Sequence, residues 1–276
     1  MSARDDGYYV VRAPGQTSDL AETALAEAAA LLRLKVPELN RILGVGQPVP
    51  LGWAETSQDA ALMSESLRRR GIETLNVAHE DLHLSLAAKK IRALELSGES
   101  LTAIATSGIG KVTARWDEVT LLVVGRLLLD RHEIEERKRR GRKQLVGSRQ
   151  LSADESVLDL YTKSDEINWR ISANSFDFSC LGSARGVTTL ENFVALISLL
   201  RDRATNARFD DSYNRARPAL ATVWPIEPQT RTGEWRRSGA GKFDVATVTT
   251  TDNEDQFRRY SRLLHCLKVR ELADGV

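Results

Sequence analysis

His79-Glu80-Asp81-Leu82-His83 is the segment whose residue types and spacing come nearest to a reactive set. Two histidines one helical turn apart can hold zinc while the glutamate activates a bound water, the chemistry of a zinc-dependent hydrolase. Such a use needs a helix, yet the segment follows directly on Thr74 to Val77, an apolar run that reads as a strand. Leu86 and Lys89 stand where glycine and histidine would extend the motif, and the next histidine is His132. Glu95 and Glu99 fall in a stretch of strand alternation. The segment is therefore expected to be a hydrated junction between domains, with a metal site on His79 and His83 as the alternative; no cofactor is expected.

Other chemical signals are weaker. Gly239-Ala-Gly-Lys242 has part of a phosphate-loop pattern, but Arg236 replaces its first glycine and Phe243 the hydroxyl that would reach magnesium. His265 and Cys266 are neighbours on a helical pattern and point apart, so they read as packing rather than as a thiol and its base. Cys180 lies in an apolar strand pattern, and two such cysteines read as free thiols. From Arg131 to Arg149, eight basic residues stand against three glutamates, an excess of five positive charges that includes Arg137, Lys138, Arg139, Arg140, Arg142 and Lys143. That run suits phosphates of nucleic acid or anionic lipid. It has no aromatic residue to stack bases and the whole chain carries only +1, so a solvated, partly helical excursion is the leading expectation.

Composition narrows the class further. At 276 residues, 42% hydrophobic and 28% charged, the chain has the length for two domains with cores of their own and the balance of an ordinary globular protein. The first residues, Met-Ser-Ala-Arg-Asp-Asp, lack the apolar stretch of a signal peptide, and Leu121 to Leu129 is too short to span a bilayer. A cytoplasmic protein with no transmembrane segment is expected.

Around these residues the patterns follow a clear order. Tyr8 to Val11 is rich in β-formers and closed by Pro14 and Gly15. Asp19 and Glu22 have capping-box spacing ahead of a helix with Leu20, Ala24, Ala28, Leu31 and Leu32 on one stripe. Pro37 opens a second helix that ends at Gly44, and Val49 to Trp53 reads as a strand. Thr56 and Asp59 cap a third helix stopped by Gly71, and Ile72 to Val77 closes the unit. This β-α-α-β-α-β sandwich is assigned to residues 1–85. The stretches Leu34 to Leu43 and Asp59 to Ile72 resemble the C-terminal domain of the bacterial ribosomal stalk protein and the similarly folded Clp-protease adaptor. The resemblance implies a fold built to hold a protein partner. In the stalk protein a lysine-rich helix surface recruits translation factors; here the corresponding positions are Glu38, Asn40 and Arg41, so the partner need not carry over with the fold.

From Lys89 the period becomes alternating. Leu94 to Leu96 and Leu101 to Ile104 are joined by Ser97-Gly98, and Val112, Ala114 and Trp116 alternate with Lys111, Thr113 and Arg115. Trp169, Ile171 and Ala173 alternate in turn, Phe176 and Phe178 flank Asp177, and a helix follows with Thr188 and Glu191 as capping box. Leu190, Phe193, Val194, Ile197 and Leu200 are its expected buried stripe. An antiparallel β domain over residues 86–205, closed by one helix and carrying Ala114-Arg-Trp-Asp-Glu-Val119, resembles the bacterial pleckstrin-homology-like domains, with residues 131–155 as an insertion. Residues 206–276 form a C-terminal extension: a helix broken at Pro218, a loop holding Trp224 and Trp235, and a final helix burying Phe257, Tyr260, Leu264 and Leu267 beside a basic flank of Arg258, Arg259 and Arg262. The expectation is thus an α+β protein without catalytic activity, an adaptor, scaffold or regulatory module that binds a protein through Glu38, Asn40 and Arg41. Nucleic-acid or anionic-membrane binding through the basic run is the alternative, and the zinc hydrolase a second one.

Overall fold

The computed structural model describes residues 6–15, 20–86, 88–106, 110–139, 142–164, 168–236 and 243–273; the side chains of 136–146 and 233–246, and everything at Asp19, Arg140 and 239–242, lie outside the described residues. The chain is an α+β protein that divides into two compact units. The first comprises residues 1–125, 156–225 and 256–276; the second comprises 126–155 and 226–255.

In the first unit the N-terminal order matches its punctuation. Strand β1 (Tyr8–Arg12) lies between β2 (Pro50–Ala54) and β3 (Thr74–Ala78), antiparallel to both, with Tyr9 opposite Trp53 and Val77. Helix α1 (Glu22–Leu31) starts at Ala21 without a side-chain cap. Helix α2 (Val36–Gly44) has Pro37 in its first turn, and α3 (Ser57–Arg68) is capped by the Thr56 hydroxyl, which accepts the Asp59 N–H at 3.1 Å. Gly71, with φ of +82°, takes the left-handed turn that ends α3, and α3 lies against all three strands.

A larger sheet follows. Strands β4 (Lys89–Leu96), β5 (Ser100–Ala105) and β6 (Lys111–Arg115) form the expected meander. Strand β7 (Val119–Arg139) runs on from it, β8 (Arg142–Thr162) returns, and β9 (Asn168–Ser172) pairs with β8. The order β7-β8-β9-β4-β5-β6 is mixed rather than purely antiparallel, because β9 runs parallel to β4. Strand β10 (Arg208–Asp210), where a helix was expected to begin, is parallel to β7, and α5 (Tyr213–Leu220) follows it. Phe178 to Ala184, expected as strand, is 3-10 helix, capped where the Asp177 carboxylate accepts the Ser179 N–H; Cys180 is half-buried there, and burial raises its thiol pKa.

Helix α4 (Thr189–Arg203) covers this sheet with a different stripe from the one the spacing predicts. Asn192, Phe193, Leu196 and Leu200 face a core built on Trp116, Leu158, Trp169 and Ile171, whereas Leu190 and Val194 are 64% and 55% exposed. Asn192 decides the rotation: its side chain bonds both the N–H and the carbonyl of Gly186, so a polar residue is buried at little cost and the apolar pair turns outward.

Residues 131–155 are a correction to the expected helical excursion, since they belong to the paired strands β7 and β8. In the second unit these strands join β12 (Phe243–Asp252) and β11 (Gln229–Arg236) in the antiparallel order β11-β12-β7-β8, replacing the loop expected around Trp235. Trp235 lies outside the described side chains.

Helix α6 (Glu254–Ala273) buries Phe257, Tyr260, Leu264 and Leu267 as expected, inside the first unit from Gln256 onward. Burying Phe257 alone contributes about 1.5–3 kcal/mol. Its ring comes so close to Gly125 that a Cβ there would lie 2.4 Å from it. Gly125→Ala should therefore lower stability by about 1–3 kcal/mol in denaturant titration, and Phe257→Leu in the same chain should recover part of that loss.

Candidate functional site

Two side chains of α2 stand apart from its packing. Leu39, Ile42 and Leu43 are buried, the Glu38 carboxylate accepts the Lys35 N–H at 2.8 Å, and Asn40 and Arg41 are left exposed on the outer turn. Helix α5 packs beside α2. Between them lies a cleft of about 240 Å³ bordered by Glu38, Arg41, Ile42, Pro218, Ala219 and Thr222. An adjoining hollow of about 360 Å³ is bordered by Arg41, Gly44, Val45 and Arg215. Arg41 is common to both, and among the described residues it has no ion-pair partner. Arg215 donates to the Ser212 hydroxyl at 3.1 Å and lies 3.7 Å from Asp211, an exposed pair worth little. The pair of guanidinium groups makes this rim suited to a carboxylate presented by an extended segment.

In the His79 to His83 segment, Glu80 and His83 are exposed and Leu82 is buried. Glu80 to Leu82 forms a single 3-10 turn and His83 adopts the left-handed conformation at φ of 45°, so the stacked i, i+4 geometry of two metal-binding imidazoles is not made. His79 Nδ1 lies 2.9 Å from the Tyr9 hydroxyl, which also accepts from Arg259 at 3.1 Å. Leu82 is fully buried, and α6 holds the segment through its arginines. Arg262 Nε donates to the Leu82 carbonyl at 2.7 Å, Arg258 to Leu84 at 3.2 Å, and Arg270 to the Asn76 carbonyl and to Asp81 at 2.9 and 2.6 Å. The basic flank of the last helix thus clamps backbone oxygens through Arg258 and Arg262 and the Tyr9 hydroxyl through Arg259. Among the described residues, no three His, Cys, Asp or Glu side chains converge as a ligand group.

Other titratable groups are also enclosed. Arg170 and Asp159 form a two-point ion pair at 2.7 and 2.8 Å with both side chains at most 5% exposed, and the guanidinium lies 5.1 Å from the Phe257 ring centre. Tyr161 bonds Ser261 at 2.8 Å and stacks on His265 at 4.4 Å; burial, with Asp159 nearby, raises its pKa. Tyr260 donates to Asp210 at 2.9 Å and is raised by burial as well. Cys266 is buried beside His265. Sequence reasoning missed the Arg170–Asp159 pair, although Asp159 and Arg170 in otherwise apolar strands are the signal that marks it.

The basic run contributes backbone only: Arg137, Lys138 and Arg139 fall on β7 and Arg142 and Lys143 on β8, but their side chains lie outside the described residues. In the second unit, Arg131, Gln229, Arg231, Val248 and Thr250 border a hollow of about 390 Å³, consistent with the register that sets Thr250 opposite both Arg131 and Gln229. No described helix is long and apolar enough to cross a membrane.

The clamp and the metal reading separate cleanly in stability measurements. Arg262→Met should cost about 1–3 kcal/mol in urea titration because the Leu82 carbonyl loses its buried donor. His83→Asn, which keeps the left-handed backbone accessible, should stay within about 0.5 kcal/mol of the parent, with or without added zinc.

No protein-family model matches the chain, and neither curated proteins nor solved structures give a match.

Proposed function

We propose that the protein is a non-catalytic adaptor or regulatory module that receives a protein partner on the α2–α5 surface. The observation that carries this reading is Arg41, an exposed cation without an ion-pair partner among the described residues, shared by two adjoining hollows. The side chains with chemical potential elsewhere, His79, Tyr161, Asp159 and Asp210, are engaged in bonds that hold the fold. The likeness of Leu34 to Leu43 to the partner-binding helix of the stalk protein supports the same surface, and replacement of that helix's lysines by Glu38, Asn40 and Arg41 points to a different partner, one with an acidic side chain for Arg41. Two free cysteines support a cytoplasmic setting.

A photoreactive residue at position 40, compared in cells with one at the exposed Leu62 of α3, tests the reading. Position 40 should yield a discrete protein adduct that Arg41→Glu reduces by about tenfold, the loss expected for removal of one charged contact. Absence of adducts at position 40, or the same adducts from both positions, would count against it.

A second reading, binding of a polyanion, rests on Arg131 and Arg231 bordering one hollow of the second unit. Retention on heparin and on anionic vesicles across a salt series should fall when both are replaced by serine. Unchanged elution removes this reading.

A further inference from the structure

The face of the second unit that carries Arg131 is shaped by the lengths of its side chains. Strand β12 lies between β11 and β7, and the register sets two rows across them: Gln229, Thr250 and Arg131 in one, Arg231, Val248 and Glu133 in the next. Residues directly opposite each other in an antiparallel pair share a face, as do residues two apart on one strand. Val248 and Thr250 are short, and their neighbours on β11 and β7 are long. The middle strand is therefore the floor of the hollow of about 390 Å³, and the flanking strands are its walls.

The border of this hollow is a set of hydrogen-bond donors. Arg131 and Arg231 bring guanidinium groups, Gln229 an amide and Thr250 a hydroxyl, while Val248 is the apolar part of the floor. Among the described residues no carboxylate borders it, and Gln229, Arg231 and Thr250 make no side-chain hydrogen bond or ion pair. Two acids stand close by. Glu133, at the β7 end of the Val248 row, lies 3.6 Å from Arg131 in a solvent-accessible pair worth little. Asp252, one row beyond Thr250, accepts the Glu254 N–H at 3.1 Å.

This arrangement suits a tetrahedral oxyanion better than a carboxylate. From strand spacing and rise, the Cα atoms of Arg131 and Arg231 are about 12 Å apart, on opposite walls. Guanidinium forks that arrive from two sides need acceptor oxygens on two sides, and a carboxylate presents one edge. A phosphate monoester carries three strong acceptor oxygens and close to two negative charges, enough for both forks and the Thr250 hydroxyl.

We infer that the hollow on β11, β12 and β7 binds the phosphate group of a phosphate monoester, held by Arg131, Arg231 and Thr250, with Glu133 as a weak competitor for Arg131. The inference rests on the anion-binding face of the second reading above and narrows its ligand from a polymer to a single phosphate group.

Equilibrium dialysis of the full chain against labelled inorganic phosphate tests it. The parent should bind saturably with a Kd at or below about 1 mM. Arg231→Ser and Thr250→Val should each weaken binding by about tenfold, while both variants unfold thermally as the parent does, because Arg231 is exposed and valine keeps the β-branched shape. Glu133→Gln should tighten binding by about threefold, the opposite sign from loss of a structural contact. Vesicles of phosphatidylcholine with and without phosphatidic acid separate the sources: retention displaced by inorganic phosphate supports a lipid headgroup, and phosphate binding without retention supports a soluble ester. Absence of saturable phosphate binding, or binding that Arg231→Ser or Glu133→Gln leaves unchanged, would overturn the inference. If heparin retention still falls in the double serine variant while phosphate fails to bind, the inference is lost and the polyanion reading stands; phosphate binding with unchanged heparin elution supports the inference and removes that reading.

Discussion

A buried guanidinium at Arg262 is the contact on which the first unit depends. Its side chain is 3% exposed and reaches the backbone carbonyl of Leu82, a residue 180 positions earlier in the chain. Burying a charge is expensive unless it is matched; here a carbonyl and the face of Tyr161, 5.8 Å away, match it in part, and Nη1 is buried without a hydrogen-bond partner among the described residues. A second buried guanidinium, Arg170, answers Asp159 from the neighbouring strand and touches Phe257 of the same helix. Removing one partner of such a contact would leave a buried group unpaired, at a cost of about 3–5 kcal/mol for an ion pair.

The seating of α6 also engages several of the chain's titratable side chains. The HExxH-like segment has the right letters, but its backbone makes one 3-10 turn, with His79 beside Tyr9, Asp81 bonded by Arg270 and the Leu82 carbonyl by Arg262. The buried tyrosines Tyr161 and Tyr260 are likewise held in their neutral form by burial, as hydrogen-bonding groups of a packed interior. The described surface offers a cationic rim on α2 and exposed apolar residues on α4.

Local punctuation made much of this readable in advance. Pro37, the Thr56 cap, Gly71 and the Thr188–Glu191 box mark helix ends whose bonds close within a few residues, so sequence alone carries them. The exposure of Arg41 follows from the helical spacing of Leu39, Ile42 and Leu43, which claim the inner face of its helix. What sequence could not show were features settled by distant partners. β12 is rich in threonine and polar on both faces, and it becomes a strand by pairing with β7 more than a hundred positions away. The rotation of α4 was hidden because its apolar residues surround more than one side, and only the Asn192 bond to Gly186 picks the buried one.

The long reach of the β7–β12 pairing also shapes how the chain is made. Asp130 pairs with Thr251, so while a ribosome extends the polypeptide N-terminus first, β7 has β8 available long before β12 exists. During that interval one row of β7 amide and carbonyl groups has no mate and is a template for another nascent chain. The same stretch carries Arg131, Glu133, Glu135, Glu136, Arg137, Lys138 and Arg139. Dense charge of both signs is the composition that discourages strangers from adding to an open strand.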